Sequence, residues 1–441
     1  MRLPNEFKSI YIQKSNVKSM GKKEKLTLWQ AVSIGLGNII GAGIFVLAGL
    51  VIYQSGPGAL LSFILTGILA TTVALNSAEL SSKIITHGGL YSFVKETMGD
   101  SLGFIVGWLR SISYAIAGAA VSIGFSSYLL SIWNITSSSL IVLIAIVLII
   151  LITLIDYIGI KMVAKIEQSL VAITVLGLVI FIIVSFFYGK WEISRFTPIL
   201  PKGPLSVVYS ASLAFFAYSG FNTIATLTPE VENGAKNAPK AIMISLAIST
   251  VLYIMVVIGM LAMMPWYLYG MSGSPLSNAM MYSHAPYFII DVVSLVAIIS
   301  TFTVTLSLIV AGSRTLMQMS EDGMLPKWIG HADSPKRSVI IIGAITVFSV
   351  FLGNLNYIVL ASNFGVIFSY ALTGIAVGIL RKRKVLKGFN SPWYPYIQIS
   401  SVVLSLIVMI SLGTQSLYLG TLLIVAGIIL FAMEKEKGMH K

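Results

Sequence analysis

The sequence has no cysteine, only four histidines and little charge of either sign. Without cysteine the chain has no disulfide, no thiol catalysis and no thiolate metal site, and the histidines are too scattered to predict a metal site. Charged residues make up 10% of the chain, whereas soluble domains have about 25%. With 56% hydrophobic residues and a mean hydropathy of +0.91, the composition excludes a soluble, disordered or fibrous protein. It predicts a polytopic membrane protein that has the lipid bilayer as a partner.

Twelve apolar runs are long enough to cross a membrane, because a bilayer core about 30 Å thick requires roughly 20 apolar residues per helix. They predict an all-α protein with twelve transmembrane helices, numbered here as spans 1 to 12. The spans cover residues 27–51, 59–80, 102–131, 138–156, 166–188, 206–228, 240–264, 288–318, 338–353, 357–380, 396–412 and 416–433. The polar, basic residues 1–25 predict a retained cytoplasmic tail, since the apolar run that follows is too long for a signal peptide.

The basic residues are sorted by side of the membrane. If the N-terminus is cytoplasmic, every lysine and arginine except Arg110, Lys190, Arg195 and Lys202 lies on the cytoplasmic side of the spans. This asymmetry predicts that both termini are cytoplasmic, and we expect the protein in the plasma membrane. The net charge of +13 therefore reflects topology, and no nucleic-acid partner is predicted.

Glycine interrupts the helical pattern at two places. Span 1 contains GLGNIIGAGIF, with glycines at 35, 37, 41 and 43, and span 6 contains FFAYSGFN, with Ser219 and Gly220 at a similar depth. Glycine lowers helix stability by about 1 kcal/mol relative to alanine. A helix broken in lipid must line a cavity or be covered by neighbours, because unsatisfied backbone there is costly. The alternative interpretation is that these glycines only permit close helix packing.

The two breaks open two blocks of five spans each, a pattern typical of transporters with an inverted repeat and a midplane binding site. The predicted units are a tail at 1–25, repeats at 26–188 and 206–380, accessory helices at 396–433 and a tail at 434–441. A break exposes N–H groups suited to a carboxylate and carbonyls suited to an ammonium group. Together these features match a zwitterionic α-amino acid.

Five motifs in order resemble those of a known family. They are GNIIGAGIF at 37–45, AEL at 78–80 with HGGLYSFV at 87–94, FFAYSGFN with TPEVENGAKNAPKAI at 228–242, GSRTLMQMSEDGMLP at 312–326, and SPWYP at 391–395. The chain is similar in these to the amino acid/polyamine/organocation (APC) superfamily permeases, which share the leucine-transporter fold. The resemblance runs from about residue 26 to residue 400.

The resemblance implies a substrate site made mainly of backbone. Its carboxylate ligands would be the N–H groups of Gly41, Ala42, Gly43 and Ile44, and its ammonium ligands the carbonyls of Ile39, Phe216 and Ser219. Phe216 also matches the aromatic gate of the family, where it could make cation–π contact with substrate; the alternative is simple packing between helices. Tyr218 is predicted to pack.

The same resemblance leaves three options for how transport is coupled to energy: sodium coupling, exchange or facilitated transport, and proton coupling. Proton-coupled family members similar to the cationic amino-acid type carry a lysine on the fifth helix at the position of Thr174. A threonine cannot titrate, so that route for proton coupling is missing here. A possible cation site combines Thr174 with the carbonyls of Gly37 and Ile40 and the hydroxyls of Thr303 or Ser307, which are the oxygen ligands that a hard cation prefers. No cofactor is expected other than a coupling ion, Na+ or H+. Sodium coupling and exchange or facilitated transport both rank above proton coupling through a group such as Glu79.

Two of the ionisable residues within the spans, Glu79 and Arg110, are candidates for a gate contact or an ion pair. Glu79, near the cytoplasmic end of span 2, is interpreted as a structural ion pair or gate contact in preference to a proton carrier. Arg110 is predicted to snorkel to the inner surface, with a gate salt bridge to Glu79, Asp156 or Glu167 as the alternative. No carboxylate can be placed in the pocket, which favours a neutral amino acid as substrate. Arg110 facing the pocket would instead favour an acidic side chain.

The sequence thus predicts a secondary active transporter, a symporter or exchanger, that moves amino acids by alternating access. Spans 1, 2, 6 and 7 would move against spans 3, 4, 8 and 9, as the resemblance implies. A polyamine or other organic-amine permease of the same family and a transporter-like membrane sensor are the alternatives. No serine, histidine and acid cluster at membrane depth and no phosphate-binding loop is present, so no catalytic residue is predicted and the protein is not an enzyme.

Overall fold

A computed structural model describes the chain from residue 25 to residue 439. Not described within that range are residues 42, 85–88, 136, 159, 227, 272, 331–334 and 385–386, and the side chains of 160–169, 226, 229, 271 and 435–439. The predicted carboxylate ligand Ala42 and nearly all of the N-terminal tail therefore lie outside the described residues.

The described residues form sixteen α-helices, and their only β contact is a single bridge between Leu26 and Val231. The all-helical class predicted from the sequence is confirmed. In chain order the helices are α1 Leu28–Ile39, α2 Ala48–Ser55, α3 Ala59–Lys83, α4 Gly89–Met98, α5 Asp100–Ser131, α6 Ser138–Ile158, α7 Ile160–Tyr188, α8 Leu205–Tyr218, α9 Asn222–Thr226, α10 Gly234–Met263, α11 Pro275–Tyr282, α12 Tyr287–Glu321, α13 Lys336–Ser349, α14 Leu355–Lys382, α15 Tyr396–Ile410 and α16 Thr414–Met439.

Each predicted span is occupied by helix, and eight helical segments among the described residues are long and apolar enough to cross a membrane. One of these, Leu28–Lys83, covers spans 1 and 2 together. Spans 6, 9 and 11 correspond to the shorter helices α8, α13 and α15. The chain is thus a multi-pass membrane protein, and the count of twelve crossings stays a prediction. Two further helices, α4 and α11, occupy stretches predicted as loops.

Local sequence explains where the first helix begins. The Thr27 hydroxyl accepts a hydrogen bond from the Gln30 backbone N–H, and the Gln30 side chain accepts one from the Thr27 N–H at 2.9 Å. This reciprocal capping box satisfies two of the N–H groups that a helix start leaves unpaired. It fixes the start of α1 twelve residues before the break at Ile40.

The helix α5 lies at the centre of the bundle. It packs along α12, and α14, α13 and α6 cover its other sides. Small residues on α5, such as Gly107 and Gly118, let these helices approach closely. On one side of this pair, α10 packs against both α1 and α3, and α8 packs against α3. The two glycine-rich breaks thereby come to lie against each other.

An ion pair outside the spans joins α4 to the C-terminal end of α12. The Asp322 carboxylate accepts hydrogen bonds from the Lys95 ammonium at 2.6 Å, from the Tyr91 hydroxyl at 2.7 Å and from the Gln318 amide at 2.9 Å. Burial alone would raise the pKa of Asp322, but the hydrogen bonds from Lys95, Tyr91 and Gln318 outweigh burial and lower it from its ordinary value.

This geometry predicts how stability depends on pH. Because its folded-state pKa is lowered, Asp322 contributes stability above its unfolded-state pKa of about 4, and that contribution is lost as the pH falls through the folded-state value. We expect Asp322→Asn to lower the free energy of unfolding by about 2 kcal/mol at neutral pH, and the difference from wild type to shrink below a pH of about 4. Thermal unfolding in detergent across the acid range measures this, and a difference that does not change with pH would contradict it.

Candidate substrate site

The first helix is broken at Ile40 and Gly41. The Gly41 N–H, which in a continuous helix would bond the Gly37 carbonyl, instead bonds the Ile39 carbonyl at 2.9 Å. The chain resumes at Gly43 as a π-helical turn, Gly43–Leu47, and continues into α2. Gly37 is therefore left without its usual helical donor.

The second break is tighter than the first. Helix α8 ends at Tyr218, a 3₁₀ turn follows over Ser219–Phe221, and α9 continues from Asn222. The change of helix type occurs at the serine and glycine that the sequence singled out. The backbone there is wound more tightly and is not opened into an extended segment.

The two breaks are in direct backbone contact. A Cβ atom on Gly43 would lie 2.2 Å from the Ala217 Cα, and one on Gly220 would lie 2.0 Å from the Asn38 carbonyl oxygen. The Tyr253 hydroxyl on α10 lies 2.6 Å from the Ile39 carbonyl oxygen and 2.9 Å from that of Ala217, so it bridges both breaks. The glycines therefore serve close packing, which was the alternative interpretation, and they also border a cavity.

That cavity lies between the two breaks and the helices α5, α12 and α14. Ile39, Gly41, Gly43, Phe216 and Ser219 line it, so the structure brings five of the seven predicted substrate ligands together. The sixth, Ile44, is completely buried and does not line the cavity, because the π-helical turn directs it into the core. Tyr218 does not line it either; its hydroxyl donates to the Phe63 carbonyl.

The predicted ammonium ligands already accept hydrogen bonds within the protein. The Ile39 carbonyl accepts from the Tyr253 hydroxyl and the Gly41 N–H, and the Phe216 carbonyl from both the hydroxyl and the N–H of Ser219. The Ser219 carbonyl accepts one side-chain bond, from the Tyr370 hydroxyl at 2.9 Å.

Arg110 lies in the wall of the same cavity. Its residue is 5% exposed, its Nη2 donates to the Tyr114 hydroxyl, and its guanidinium carbon lies 4.7 Å and 5.7 Å from the ring centres of Tyr114 and Tyr370. The prediction that Arg110 snorkels to the surface is therefore wrong: α5 is enclosed by other helices, so its side chain has no open path to the membrane surface.

The acidic partners considered for Arg110 are engaged elsewhere. Asp156 bonds Arg314 at 3.0 Å, and the Glu167 side chain lies outside the described part of the chain. Glu79, which is completely buried, accepts two bonds from Arg381 at 2.7 and 2.9 Å and further bonds from Lys83 and from the Ser391 N–H and hydroxyl. The structure thus places Glu79 in an ion-pair cluster that ties α3 to α14.

A second, smaller cavity adjoins the first. Its wall contains Gly37, Thr174, Thr303 and Ser307, four of the five residues predicted for a cation site. Ile40 is the exception: it is not in that wall, and its carbonyl lies 3.5 Å from the Ser300 hydroxyl. The hydroxyls of Thr174 and Thr303 donate to carbonyls of their own helices, so each oxygen keeps lone pairs for a cation. Asn38 and Ser307 border both cavities.

Several residues of the site carried no signal in the sequence. Tyr253, which bridges the breaks, and the tyrosines at 114 and 370, which hold Arg110, are the main ones. Aromatic residues fill cores throughout the chain, and only their partners in the folded structure distinguish these three. The only hint of further site residues in the sequence was a hydrophilic residue next to each break, Asn38 at the first and Asn222 at the second.

The fold and the paired helix breaks are those of a membrane transporter. Sequence comparison identifies the family to which it belongs. The pattern of the amino acid permease family matches residues 30–438, and the chain belongs to that family. It is 31% identical to a methylthioribose transporter of Bacillus subtilis (strain 168) over 90% of both chains. It is 27% identical to the branched-chain amino acid permease of the same organism over 94% of both. It is 28% identical to the mitochondrial cationic amino acid transporter 3 of Arabidopsis thaliana, over 81% of this chain and 62% of that one.

Proposed function

We propose that this permease is a secondary active transporter of amino acids that works by alternating access. The observation that carries the proposal is the cavity in which the two helix breaks meet. The α-carboxylate would bind the N–H groups at the start of the second half of the first helix, at Gly43 with Ala42. The α-ammonium group would bind the Ser219 carbonyl, with the carbonyls of Ile39 and Phe216 as further ligands in the same cavity wall.

The packing supports a twofold repeat as part of this proposal. Helix α1 packs on α10 and α8 packs on α3, which is the reciprocal pairing expected when the repeats 26–188 and 206–380 are related by inversion. In this arrangement the twelve spans cross the plasma membrane, both termini are cytoplasmic, and α15 and α16 are accessory. The helices that contain the breaks would move with α3 and α10 against α5 and its neighbours.

We also propose that the smaller cavity binds a coupling cation. Its wall combines the Gly37 carbonyl, which has lost its helical donor, with threonine and serine hydroxyls, and oxygen ligands suit Na+. Exchange without a coupling ion is the competing option. Proton coupling through Glu79 ranks below both, since that carboxylate is held by Arg381 and Lys83.

Transport in proteoliposomes tests the proposal. We expect saturable uptake of a labelled amino acid and counterflow, in which unlabelled substrate inside drives labelled substrate in. Imposed sodium and proton gradients then separate the coupling options. Strong accumulation driven by a proton gradient alone and unaffected by Glu79→Gln would overturn the coupling proposal, and exclusive uptake of polyamines would overturn the amino-acid assignment. Amino-acid binding without any flux would favour a sensor.

Phe216 lines the cavity at the second break, and we expect Phe216→Ala to weaken substrate binding about tenfold, because apolar and cation–π contacts of this kind contribute about 1 kcal/mol or more. Titration of the purified protein with its transported amino acid measures the change. Phe348→Ala, at a side chain 74% exposed on α13, is the matched control and should leave the affinity unchanged. Equal affinity in wild type and Phe216→Ala would assign Phe216 to helix packing.

A further inference from the structure

Arg110 carries a buried positive charge that the described residues do not neutralise. Its Nη1 is buried and has no hydrogen-bond partner among them, and Nη2 is bonded to the Tyr114 hydroxyl. A guanidinium remains protonated in proteins. A buried charge is retained when a partner compensates for its lost hydration, so the free nitrogen in the cavity wall points to a partner that enters from the cavity.

No acidic side chain supplies that partner in the part of the chain that the structure describes. The ion pairs found there join Glu79 to Lys83 and Arg381, Asp156 to Arg314, and Asp322 to Lys95. The described residues that line the cavity include no aspartate or glutamate. The rings of Tyr114 and Tyr370 stabilise and orient the guanidinium by cation–π contact, but they carry no negative charge.

The Asn222 side-chain amide is a second buried polar group in the wall of the same cavity. The Asn222 amide is buried beside the Tyr370 hydroxyl, and neither its nitrogen nor its oxygen makes a hydrogen bond of normal geometry among the described residues. Asn222 follows the second break, where Ser219 accepts a bond from the Tyr370 hydroxyl, and Tyr370 is the ring that Arg110 also faces. The cavity wall therefore presents a guanidinium nitrogen and an amide nitrogen, neither of which faces an anion, to one incoming group. A carboxylate accepts from both, and its hydrogen bonds to a guanidinium are among the strongest in proteins.

We infer that Arg110 binds a side-chain carboxylate of the substrate, so that the site selects acidic amino acids, aspartate and glutamate, over neutral and cationic ones. The inference rests on the proposed function, in which the helix breaks hold the α-carboxylate and the α-ammonium group. Arg110 then forms a second anion subsite, assisted by Asn222. The sequence favoured a neutral substrate unless Arg110 faced the pocket, and the structure places Arg110 there.

The test compares acids with amides of nearly the same shape. Binding of glutamate, aspartate, glutamine, asparagine, leucine and arginine to the purified protein is measured by calorimetry. We expect the acids to bind at least about 100-fold more tightly than their amides, because the amide leaves the guanidinium uncompensated. Arg110→Gln should remove this preference by weakening glutamate binding about 100-fold while glutamine binding changes little. Arg110→Lys should retain part of the preference.

The same substitution at an exposed arginine is the control. Arg337→Gln, on α13 outside the cavity, should leave every affinity unchanged. Equal binding of acids and amides by the wild type would overturn the inference while leaving the proposed function intact. An Arg110→Gln variant that weakens all amino acids alike would overturn it too, by assigning Arg110 to the α-carboxylate. Absence of binding by any amino acid to the folded wild type would instead overturn the proposed function. The wild-type ranking alone decides between acids and amides if the variants fail to fold.

Discussion

Gly43→Ala is expected to destabilise the protein and to abolish substrate binding together. The added Cβ would lie 2.2 Å from the Cα of Ala217 and 2.5 Å from its Cβ, and backbone atoms cannot move aside as a flexible side chain can. Separation of the two breaks would also stretch the hydrogen bonds through which Tyr253 joins Ile39 to Ala217. Overpacking of this kind costs about 3 kcal/mol, and we expect it as a lower midpoint of thermal unfolding in detergent.

Gly378→Ala is the matched control for that experiment. Gly378 lies inside α14, and nothing lies within 4 Å of the position its Cβ would take. Alanine there should stabilise the helix by up to about 1 kcal/mol without any change in binding. A Gly43→Ala protein with normal stability and affinity would show that the π-helical turn Gly43–Leu47 and α8 are free to separate, and the assignment of the cavity to substrate would lose its main support.

The helices and their breaks could be predicted because they depend on local sequence. Long apolar runs determine where a chain can cross a bilayer, and glycine clusters determine where a helix can change its winding. The same local features could not predict α4 or α11. Helix α4, Gly89–Met98, begins at a glycine with φ of 54° and lies in a segment whose polarity is typical of a loop. Its tertiary contacts with α5 stabilise it, and these contacts are not visible in the sequence.

The direction in which the Arg110 side chain points and the ion-pair partner of Glu79 could not be predicted, because both depend on how the helices pack. A helix on the surface of a bundle shows which side faces the core by its apolar stripe. Helix α5 is buried on nearly all sides, so its sequence shows no stripe and Arg110 could be assigned to any direction. Arg381 is 302 residues from Glu79 along the chain. Partner choice at that separation depends on how the helices pack, and a basic cluster at 381–384 gives only a set of candidates.

Glu79→Gln is expected to cause the largest loss of stability of the substitutions considered. The Glu79 carboxylate is completely buried and accepts hydrogen bonds from Lys83, Arg381 and Ser391. A glutamine keeps the shape but has one amide nitrogen that must face these donors, and it leaves two cations without a counter-ion. Removal of one partner of a buried ion pair costs about 3–5 kcal/mol. We expect a lower midpoint of thermal unfolding and a lower yield of folded protein.

The control separates this structural role from proton transport by Glu79. Glu96→Gln makes the same change at an exposed carboxylate on α4 and should alter stability by less than about 0.5 kcal/mol. If the role of Glu79 is structural, any Glu79→Gln protein that folds should respond to imposed ion gradients as the wild type does. Only its maximal rate of uptake should be lower. The cluster connects α3 with α14 and with the segment before α15, where Gln398 also bonds Ser391, so its loss should loosen the bundle without changing the coupling ion. Normal stability combined with a lost response to a proton gradient would identify Glu79 as a proton carrier and would contradict this interpretation.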